Sequence, residues 1–425
     1  MTFQALIPLI ILLALIFIGV PVAFSLGIAG VIGLYMVGGV TAVTAICQVT
    51  AYRDIATFSL STVPLYLLMA EFIVQAKLAD PLFDAANRMM GRLPGGVGVA
   101  TVWANAFFGA ISGSSTAAAA TMGKIAYPAM RKLNYSEEFA SGIITTGGTL
   151  AILIPPSIAM VVYGLATETS ISSLFKAGIV PGLLMAAMYS VFIAIKAHRN
   201  KDIQKPRKYS WKEKWEVILP VWPVLVLIFI VVGFLEIGIA TATEVGAVGA
   251  FAALIIGLAL KKLKWDGIKR AVMSALKGTA MIQTIMLGAK IFGYYFTLSN
   301  FTQNMLKAVQ ALGIGKYGLL AFAFIIYFFL GMIMNNTAIL CLTLPITFPL
   351  MMQAGFNPVW FGIFCTICGE IGLVTPPVGL NSYMVAEACN VPMTKVFKGG
   401  TPMLIVPMIF LIIMILFPGI AMIGA

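Results

Sequence analysis

Charge and histidine are scarce in this chain of 425 residues. Only 10% of the residues are charged, and His198 is the one histidine. A Ser-His-Asp triad needs a histidine beside its serine, whereas His198 lies in a basic connecting segment. We therefore expect that the protein is not an enzyme.

Cysteine is also rare. The five cysteines lie in or beside apolar segments, and only Cys365 and Cys368 have the spacing of a metal or redox motif. Because no second cysteine pair and no histidine lies near them, we expect these side chains to act as small buried hydrophobic groups.

Nucleotide-binding motifs are missing. Gly123-Lys124 lacks both the upstream glycine and the following serine or threonine of a phosphate-binding loop, and Gly96-Val97-Gly98 precedes no βαβ pattern. We therefore expect no ATP binding. Energy for any transport would come from an ion gradient or from another subunit.

Apolar residues, in contrast, are abundant. They make up 60% of the chain, against about 45–50% in soluble domains. Long apolar runs without alternating strand patterns predict an all-α polytopic membrane protein in a lipid bilayer. The net charge of +12 is concentrated in short connections such as 196–214, which the positive-inside rule places in the cytoplasm. We therefore expect no nucleic-acid partner.

The apolar spans and their interruptions divide the chain into five predicted parts. Segment 3–20 lacks a basic start and a cleavage site, so we expect a retained helix rather than a signal peptide. The predicted parts are N-terminal scaffold helices at 1–57, a first repeat at 58–197, a basic cytoplasmic loop at 198–216, further scaffold helices at 217–270 and a second repeat at 271–425.

The two repeats are recognised by a duplicated polar motif. Ser114-Ser115-Thr116-Ala117 is matched 221 positions later by Asn335-Asn336-Thr337-Ala338. In each copy a Pro-Pro pair follows the threonine by 39 residues, at Pro155-Pro156 and at Pro376-Pro377. Interrupted apolar segments at corresponding positions in two halves are typical of the binding site of a secondary transporter.

Each repeat is predicted to contain a re-entrant helical hairpin followed by a broken transmembrane helix. The hairpin tips fall at the polar motifs, and an odd number of membrane crossings between the copies inverts the second one. The two tips would then meet near the middle of the bilayer, as alternating access requires. The predicted bounds are hairpins at 97–128 and 318–350, broken helices at 137–166 and 358–390, and a last helix at 401–424. The amphipathic stretches 80–93 and 300–312 before the hairpins are predicted to be either arm helices along the membrane interface or ordinary connecting helices.

A first sodium site is predicted where the first tip meets the first break. Inside a bilayer, sodium can take oxygen ligands only from hydroxyl, amide or unpaired carbonyl groups. A proline has no N–H, so the carbonyl one turn earlier is free to face a cation. The predicted residues are Ser112, Ser115, Thr116, Gly148, Ala151, Ile154 and Pro155.

The second copy predicts a second sodium site with the same chemistry. Apolar residues are included because a backbone carbonyl can bind a cation whatever its side chain. The predicted residues are Gly331, Asn336, Thr337, Gly369, Gly372, Thr375 and Val378. Helix N-termini at the breaks also favour an anion, so we expect a carboxylate substrate between the tips. The predicted substrate residues are Ser114, Ser115, Asn335, Asn336 and Thr337.

Five ionisable residues lie within predicted spans, where a charge at the bilayer centre costs at least about 2.5–3.5 kcal/mol. Structural pairing, contact with a partner subunit and coupling-ion binding are all open for them. They are Glu71, Glu244, Lys290, Glu370 and Glu387.

Three stretches resemble one transporter family. They are GAISGSSTA at 109–117, GGTL at 147–150 with IPPS at 154–157, and GLVTPPVGLN at 372–381. These stretches, together with length and spacing, resemble the large membrane (M) subunit of tripartite ATP-independent periplasmic (TRAP) transporters. Within that family the chain resembles the sialic-acid branch, although no single residue identifies the ligand.

The resemblance implies an elevator-type fold of the ion-transporter superfamily in the bacterial inner membrane. It implies about two sodium ions that drive uptake of an organic acid, either sialic acid or a C4-dicarboxylate. It also implies a small membrane (Q) subunit, expected as a separate chain, and a periplasmic substrate-binding (P) protein. Ala110 and Ala151 stand where the second repeat has Gly331 and Gly372, so the first ion site can differ in detail. The alternative is a stand-alone sodium-coupled dicarboxylate or anion carrier.

Overall fold

The computed structural model describes residues 6–54, 56–200, 202–204, 209–301, 303–305, 307, 313 and 315–423. Helices dominate these residues, and no β-strand occurs among them. A helix satisfies its own backbone N–H and C=O groups, which an apolar surrounding demands. The α-helices are α1 Ile7–Phe17, α2 Val22–Val49, α3 Thr62–Gln75, α4 Pro81–Met90, α5 Gly96–Ser112, α6 Ser115–Arg131, α7 Glu137–Gly148, α8 Ile158–Thr167, α9 Ile171–Arg199, α10 Trp211–Ile218, α11 Trp222–Ile228, α12 Phe234–Ile237, α13 Ala242–Ala259, α14 Trp265–Leu298, α15 Lys316–Gly331, α16 Asn336–Gln353, α17 Pro358–Val374, α18 Leu380–Cys389, α19 Met393–Gly400 and α20 Ile405–Leu416.

Seven helices in the described part of the chain are long and apolar enough to cross a membrane. Some of them join neighbouring α, 3-10 and π segments into one continuous helix. They are Val22–Arg53, Phe58–Gln75, Ile171–Arg199, Trp211–Ile237, Ala242–Ala259, Asn336–Gln353 and Met393–Leu416. Helix α14 begins at Trp265, six residues before the predicted span at 271–298, and continues to Leu298.

Two helix-turn-helix units occupy the ranges of the predicted hairpins. In the first, α5 and α6 are joined by Gly113 and Ser114. In the second, α15 and α16 are joined by residues 332–335. The arm helix predicted at 80–93 corresponds to α4, whereas the one predicted at 300–312 lies largely outside the described residues. Residues 201 and 205–208 of the predicted loop 198–216 also lie outside them.

Two helices are interrupted at the Pro-Pro pairs. The first runs as α7, then a 3-10 turn at Thr149–Ile152, then α8. The second runs as α17 and resumes as α18. Both the Pro155-Pro156 and the Pro376-Pro377 peptide bonds are cis. Because proline lacks an N–H, neither pair can continue a helical hydrogen-bond ladder.

The two broken helices run in opposite directions. At one end of the pair, the hydroxyl of Tyr163 in α8 donates to the carbonyl of Pro358 at the start of α17, over 2.6 Å. At the other end, Lys395, which follows α18, donates to Glu137 at the start of α7 over 2.8 Å. The start of each broken helix therefore lies beside the end of the other.

The hairpins and broken helices enclose the core. Every residue from Val359 to Val374 is buried, so α17 lies at its centre. A second group, formed by α2, α3, α13 and α14, packs beside it. Within this group Thr62 and Thr243 share a hydrogen bond of 2.6 Å, and the Nε of Arg270 donates to the side-chain oxygen of Gln75.

Candidate transport site

The tip of the first hairpin is a two-residue turn. Gly113 has a φ of 59°, a backbone conformation that glycine adopts without steric cost. Ser114 is extended, and its Oγ accepts a hydrogen bond from the N–H of Ala117, which caps α6. The same Oγ lies 3.1 Å from Oγ1 of Thr116. The small polar residues therefore form the turn itself.

This tip lies against the first break. The N–H of Ile158, just after the Pro-Pro pair, donates to the carbonyl of Gly113 over 3.4 Å. One turn before the tip, a Cβ placed on Gly109 would lie 2.1 Å from the Cα of Ala151. The hairpin and the break therefore touch through their backbones.

The residues predicted for the first sodium site divide between these two parts. Ser115 contacts both the first break and another helix. Its backbone carbonyl oxygen would lie 3.1 Å from a Cβ on Gly148, and its hydroxyl donates a hydrogen bond to Glu370 of α17. The side chain of Ile154 packs against Gly182 of α9. The tip supplies Ser112, Ser115 and Thr116, and the break and its flanks supply Gly148, Ala151, Ile154 and Pro155.

The second tip is built in a similar way. The side-chain oxygen of Asn335 accepts a hydrogen bond of 2.9 Å from the N–H of Ala338 and caps α16. The N–H of Gly379, just after the second Pro-Pro pair, donates to the carbonyl of Met332 over 3.0 Å. The tip is therefore tied to the second break, as the first tip is tied to the first.

Close backbone packing also joins the second hairpin to its break. A Cβ on Gly331 would lie 2.6 Å from the carbonyl oxygen of Gly369 and 2.9 Å from the Cα of Gly372. In the first copy a close backbone approach to Ala151 is made by Gly109, one position before Ala110, which is the counterpart of Gly331.

The residues predicted for the second sodium site are also brought together, with one difference. The hydroxyl of Thr375 donates to the carbonyl of Ile371, and its N–H donates to the carbonyl of Gly372. Val378 is 41% exposed, and Pro376 beside it is exposed, whereas Pro155 is buried. The tip supplies Gly331, Asn336 and Thr337, and the break and its flanks supply Gly369, Gly372, Thr375 and Val378.

A buried carboxylate connects the two tips. Glu370 of α17 is 3% exposed. Its Oε1 accepts hydrogen bonds from the hydroxyl of Ser115, over 3.0 Å, and from Nδ2 of Asn336, over 3.2 Å. Its Oε2 accepts one from Nδ2 of Asn381, over 3.1 Å. Three hydrogen bonds, each contributing about 0.5–1.5 kcal/mol, offset part of the cost of burying this polar group. We call Ser115, Asn336, Glu370 and Asn381 the Glu370 cluster.

Three buried oxygens near the tips have no hydrogen-bond partner in the described part of the chain. They are Oγ of Ser112, Oδ1 of Asn336 and Oδ1 of Asn381. Buried polar atoms are nearly always paired, so the two of these oxygens that belong to the predicted ion sites, on Ser112 and Asn336, are suited to a cation. The hydroxyl, amide and backbone oxygens around them match the ligands that a sodium ion would need.

The two tips line one side of a cavity of about 250 Å³, which we call the tip cavity. All five predicted substrate residues lie on its wall: Ser114, Ser115, Asn335, Asn336 and Thr337. The opposite wall is formed by Leu67, Ala70, Glu71 and Val74 of α3 and by Gly278, Met281 and Ile282 of α14. The structure therefore gathers both polar motifs around one space.

Comparison with known proteins identifies the family. A family profile described as "Tripartite ATP-independent periplasmic transporter, DctM component" matches residues 9–420. The chain belongs to this family. The resemblance to TRAP transporters is thereby confirmed, and the chain is a multi-pass protein of the inner membrane and a component of a transporter.

Individual TRAP relatives cover nearly the whole chain. It is 34% identical over 366 residues to the C4-dicarboxylate TRAP transporter large permease protein DctM of Pseudomonas aeruginosa, with 86% of each chain covered. It is 30% identical to the protein of the same name from Rhodobacter capsulatus, with 99% of this chain and 98% of the relative covered. It is 32% identical to the isethionate TRAP transporter permease protein DctMQ of Oleidesulfovibrio alaskensis, with 95% of this chain and 64% of the relative covered.

Solved transporter structures share the fold at low identity. The YdaH transporter of Alcanivorax borkumensis matches with a TM-score of 0.63 at 11% identity, over 91% of this chain and 90% of that one. MtrF of Neisseria gonorrhoeae matches with a TM-score of 0.63 at 12% identity, over 97% and 95% of the two chains. At such identities the likeness concerns the fold alone.

The other ionisable residues of this TRAP subunit have different surroundings. Glu244 accepts hydrogen bonds from the N–H and hydroxyl of Thr241 and so caps its own helix. Glu71 accepts a hydrogen bond from Ser274 beside the tip cavity. Lys290 borders two further cavities, of about 400 and 630 Å³. Glu387 lies near the end of α18 and is exposed.

The motif comparison did not assign a function to Glu370, and it missed Asn381. Glu370 corresponds to Thr149 in the first repeat, and Asn381 corresponds to Met160, so neither belongs to the duplicated pattern. The available signal was a lone carboxylate inside an apolar span, which is costly without partners. Identifying those partners required knowledge of contacts between residues up to 255 positions apart.

Proposed function

We propose that this TRAP subunit carries out sodium-coupled uptake of an organic acid delivered by a periplasmic substrate-binding protein, together with a small membrane subunit that is a separate chain. The observation that carries this proposal is the tip cavity, where both polar motifs meet between two interrupted helices. Paired interruptions of this kind form the substrate and ion sites of secondary transporters.

The two copies of the motif are proposed to be inverted-topology repeats that work by an elevator motion. The opposite direction of the broken helices supports inversion. The tip cavity lies against Leu67–Val74 and Gly278–Ile282, whereas Met286 and Lys290, further along α14, border the two larger cavities. A rigid shift of the two tips along α14 would move them from the walls of the tip cavity to the residues that border the two larger cavities.

Two sodium sites are proposed at the junctions between tips and breaks. The unpaired buried oxygens of Ser112 and Asn336 support this placement. So do the close backbone approaches at Gly109, which meets the backbone of Ala151, and at Gly331, which meets the carbonyl oxygen of Gly369. Sodium would contribute positive charge beside the tip cavity, where a carboxylate substrate needs compensation.

The substrate is proposed to be a compact organic acid, with C4-dicarboxylates and sialic acid as candidates. The tip cavity of about 250 Å³ falls just below the range of about 300–1,000 Å³ for small-molecule pockets, which favours the smaller C4-dicarboxylate. The hydroxyl and amide groups on its wall suit the oxygens of a carboxylate.

The C-terminus is proposed to face the periplasm and the loop 198–216 the cytoplasm. The N–H of Gln204 in that loop donates to the carbonyl of Leu133, between the first hairpin and the first broken helix. Near the C-terminus, the indole N–H of Trp360 at the start of α17 donates to the carbonyl of Met414. These contacts belong to opposite ends of the antiparallel broken helices.

Reconstitution into liposomes tests the proposal. The chain, the candidate small subunit and the candidate binding protein are combined, and uptake of labelled succinate or sialic acid is measured with an inward sodium gradient or an equal potassium gradient. Uptake is expected only with sodium, with the binding protein present and with both membrane chains. Equal uptake with potassium would contradict sodium coupling. Uptake by this chain alone would favour a stand-alone carrier.

A further inference from the structure

The side chain of Asn336 is held in one orientation by two groups that accept hydrogen bonds. Its Nδ2 donates to the carbonyl of Thr366, over 3.0 Å, and to Oε1 of Glu370, over 3.2 Å. A backbone carbonyl and a carboxylate can only accept. The NH2 group must therefore face α17, and Oδ1 must face away from these two partners.

The oxygen that is turned away is buried and has no hydrogen-bond partner among the described residues. It lies 2.8 Å from the position that a Cβ on Gly369 would occupy, so a side chain at 369 would displace it. Asn336 is 2% exposed, which leaves little room for another orientation. Its oxygen is therefore presented against Gly369 of α17, ahead of the second break, by the groups that bind its nitrogen.

We propose that Glu370 is a positioning residue of the transport site. Its carboxylate fixes the orientation of Asn336, so that Oδ1 is available as a ligand, and it holds Ser115 of the first tip against the same helix. Asn381 donates a hydrogen bond to the other carboxylate oxygen of Glu370, Oε2. This inference rests on the proposed sodium-coupled function and deepens it, because it names the group that sets the geometry of the second ion site and links it to the first tip.

Glu370→Gln is the sharpest perturbation of this arrangement. The carboxamide has nearly the same shape but replaces one accepting oxygen by an NH2 group. Three donors, from Ser115, Asn336 and Asn381, then face a single acceptor. The amide of Asn336 loses a partner that sets its orientation, and its oxygen is drawn towards the new NH2 group. The apparent affinity for sodium is expected to fall at least about tenfold, because Oδ1 of Asn336 is no longer held in place as an ion ligand.

The assay is the complete reconstituted system, with uptake measured against sodium concentration at saturating labelled succinate or sialic acid. Uptake is expressed per folded transporter, which is quantified by fluorescence-detected gel filtration. A positioning role raises the sodium concentration for half-maximal uptake and leaves the maximal rate within a few fold. A merely structural role lowers the amount of folded protein and leaves the half-maximal sodium concentration unchanged.

Two matched variants control for burial and for charge. Cys368→Ala removes a fully buried side chain from the same helix, outside the Glu370 cluster. Glu387→Gln removes a carboxylate from the second half of the same broken helix. Both are expected to keep the wild-type sodium dependence.

Asn381→Ala gives a second route that leaves both tips intact. It removes one of the three donors to Glu370, and a smaller loss of apparent sodium affinity in the same direction is expected. If Glu370→Gln does not fold, the sodium dependence of Asn381→Ala tests the positioning role of Glu370. Wild-type sodium dependence in the folded variants would overturn the positioning role while the sodium coupling stands. Sodium-independent uptake by the unmodified chain would overturn the proposed function and the positioning role together.

Discussion

The close contact between Gly109 and Ala151 gives the most direct test of how the first hairpin meets its break. In Gly109→Ala, the added methyl carbon would lie 2.1 Å from the Cα of Ala151 and 2.6 Å from its Cβ. One of these atoms belongs to the backbone, so rotation of a side chain cannot relieve the overlap. The helix α5 has to move away from the break.

The size of this movement follows from ordinary contact distances. Non-bonded carbons approach to about 3.5 Å at the closest favourable separation, so the gap at Gly109 must widen by about 1.4 Å. Overpacking of this kind destabilises a protein by about 1–3 kcal/mol. The hydrogen bond between Ile158 and Gly113 is already 3.4 Å long and would break.

Transport should suffer more than stability. A binding site has to be held within about 0.5 Å of its working geometry, and the expected shift is larger. We therefore expect Gly109→Ala to lower the apparent sodium affinity at least about tenfold, since misplacements of about 1 Å can cost two orders of magnitude. The unfolding temperature in detergent should also fall.

The unfolding temperature and the apparent sodium affinity can be measured on the same preparations, the first by thermal unfolding in detergent and the second by sodium-dependent uptake in the reconstituted system. The matched control is Gly27→Ala in α2, where an added Cβ meets nothing within 4 Å. Replacing a helical glycine by alanine there should stabilise the helix by up to about 1 kcal/mol and leave uptake unchanged. If Gly109→Ala behaves like Gly27→Ala, the first hairpin does not pack against the break through its backbone.

Three further predictions test other contacts. Thr116→Ala and Thr375→Ala are each expected to lower the apparent sodium affinity several-fold in the uptake assay, because both hydroxyls lie at the proposed ion sites. The unfolding temperature of each variant should stay unchanged. Unchanged sodium dependence in both variants would argue against those sites. Glu244→Gln should leave the sodium and substrate dependence of uptake unaltered, because this carboxylate caps its own helix; a loss of sodium coupling would show that it has another role. Tyr163→Phe should lower the free energy of unfolding by about 0.5–1.5 kcal/mol in denaturant titrations, because the buried bond to Pro358 is lost; no change would mean that this bond does not hold the broken helices together.

The polar turns and helix breaks, which the sequence predicted, depend on local chemistry. Caps and breaks are set by a few neighbouring residues: Ser114 and Asn335 accept bonds from the first turns of α6 and α16, and the Pro-Pro pairs end helices wherever they occur. The tips predicted around 112–116 and 334–337 therefore lie at turns between helices. The TRAP family itself was identified from the same short motifs.

The features that the sequence did not predict depend on contacts between distant segments. The alanines at 110 and 151 indicated that the first ion site can differ in detail from the second, but they did not predict the close contact between Gly109 and Ala151. The first break is buried at Pro155, and the second is exposed at Pro376. Such differences arise from the neighbours that each copy happens to meet, which a comparison of the two copies cannot supply.

The Glu370 cluster also constrains which surfaces can change during transport. Ser115 and Asn336 donate to the same oxygen of Glu370, so moving either tip away from α17 would leave a buried carboxylate short of partners. Both hairpins and the second broken helix should therefore move as one unit. The opposite wall of the tip cavity is lined by Leu67, Ala70, Glu71 and Val74 of α3 and by Gly278, Met281 and Ile282 of α14, and among these residues only Glu71 has a polar side chain. An apolar wall gives up few hydrogen bonds when its neighbours slide, so it is along this wall that we expect the unit to move.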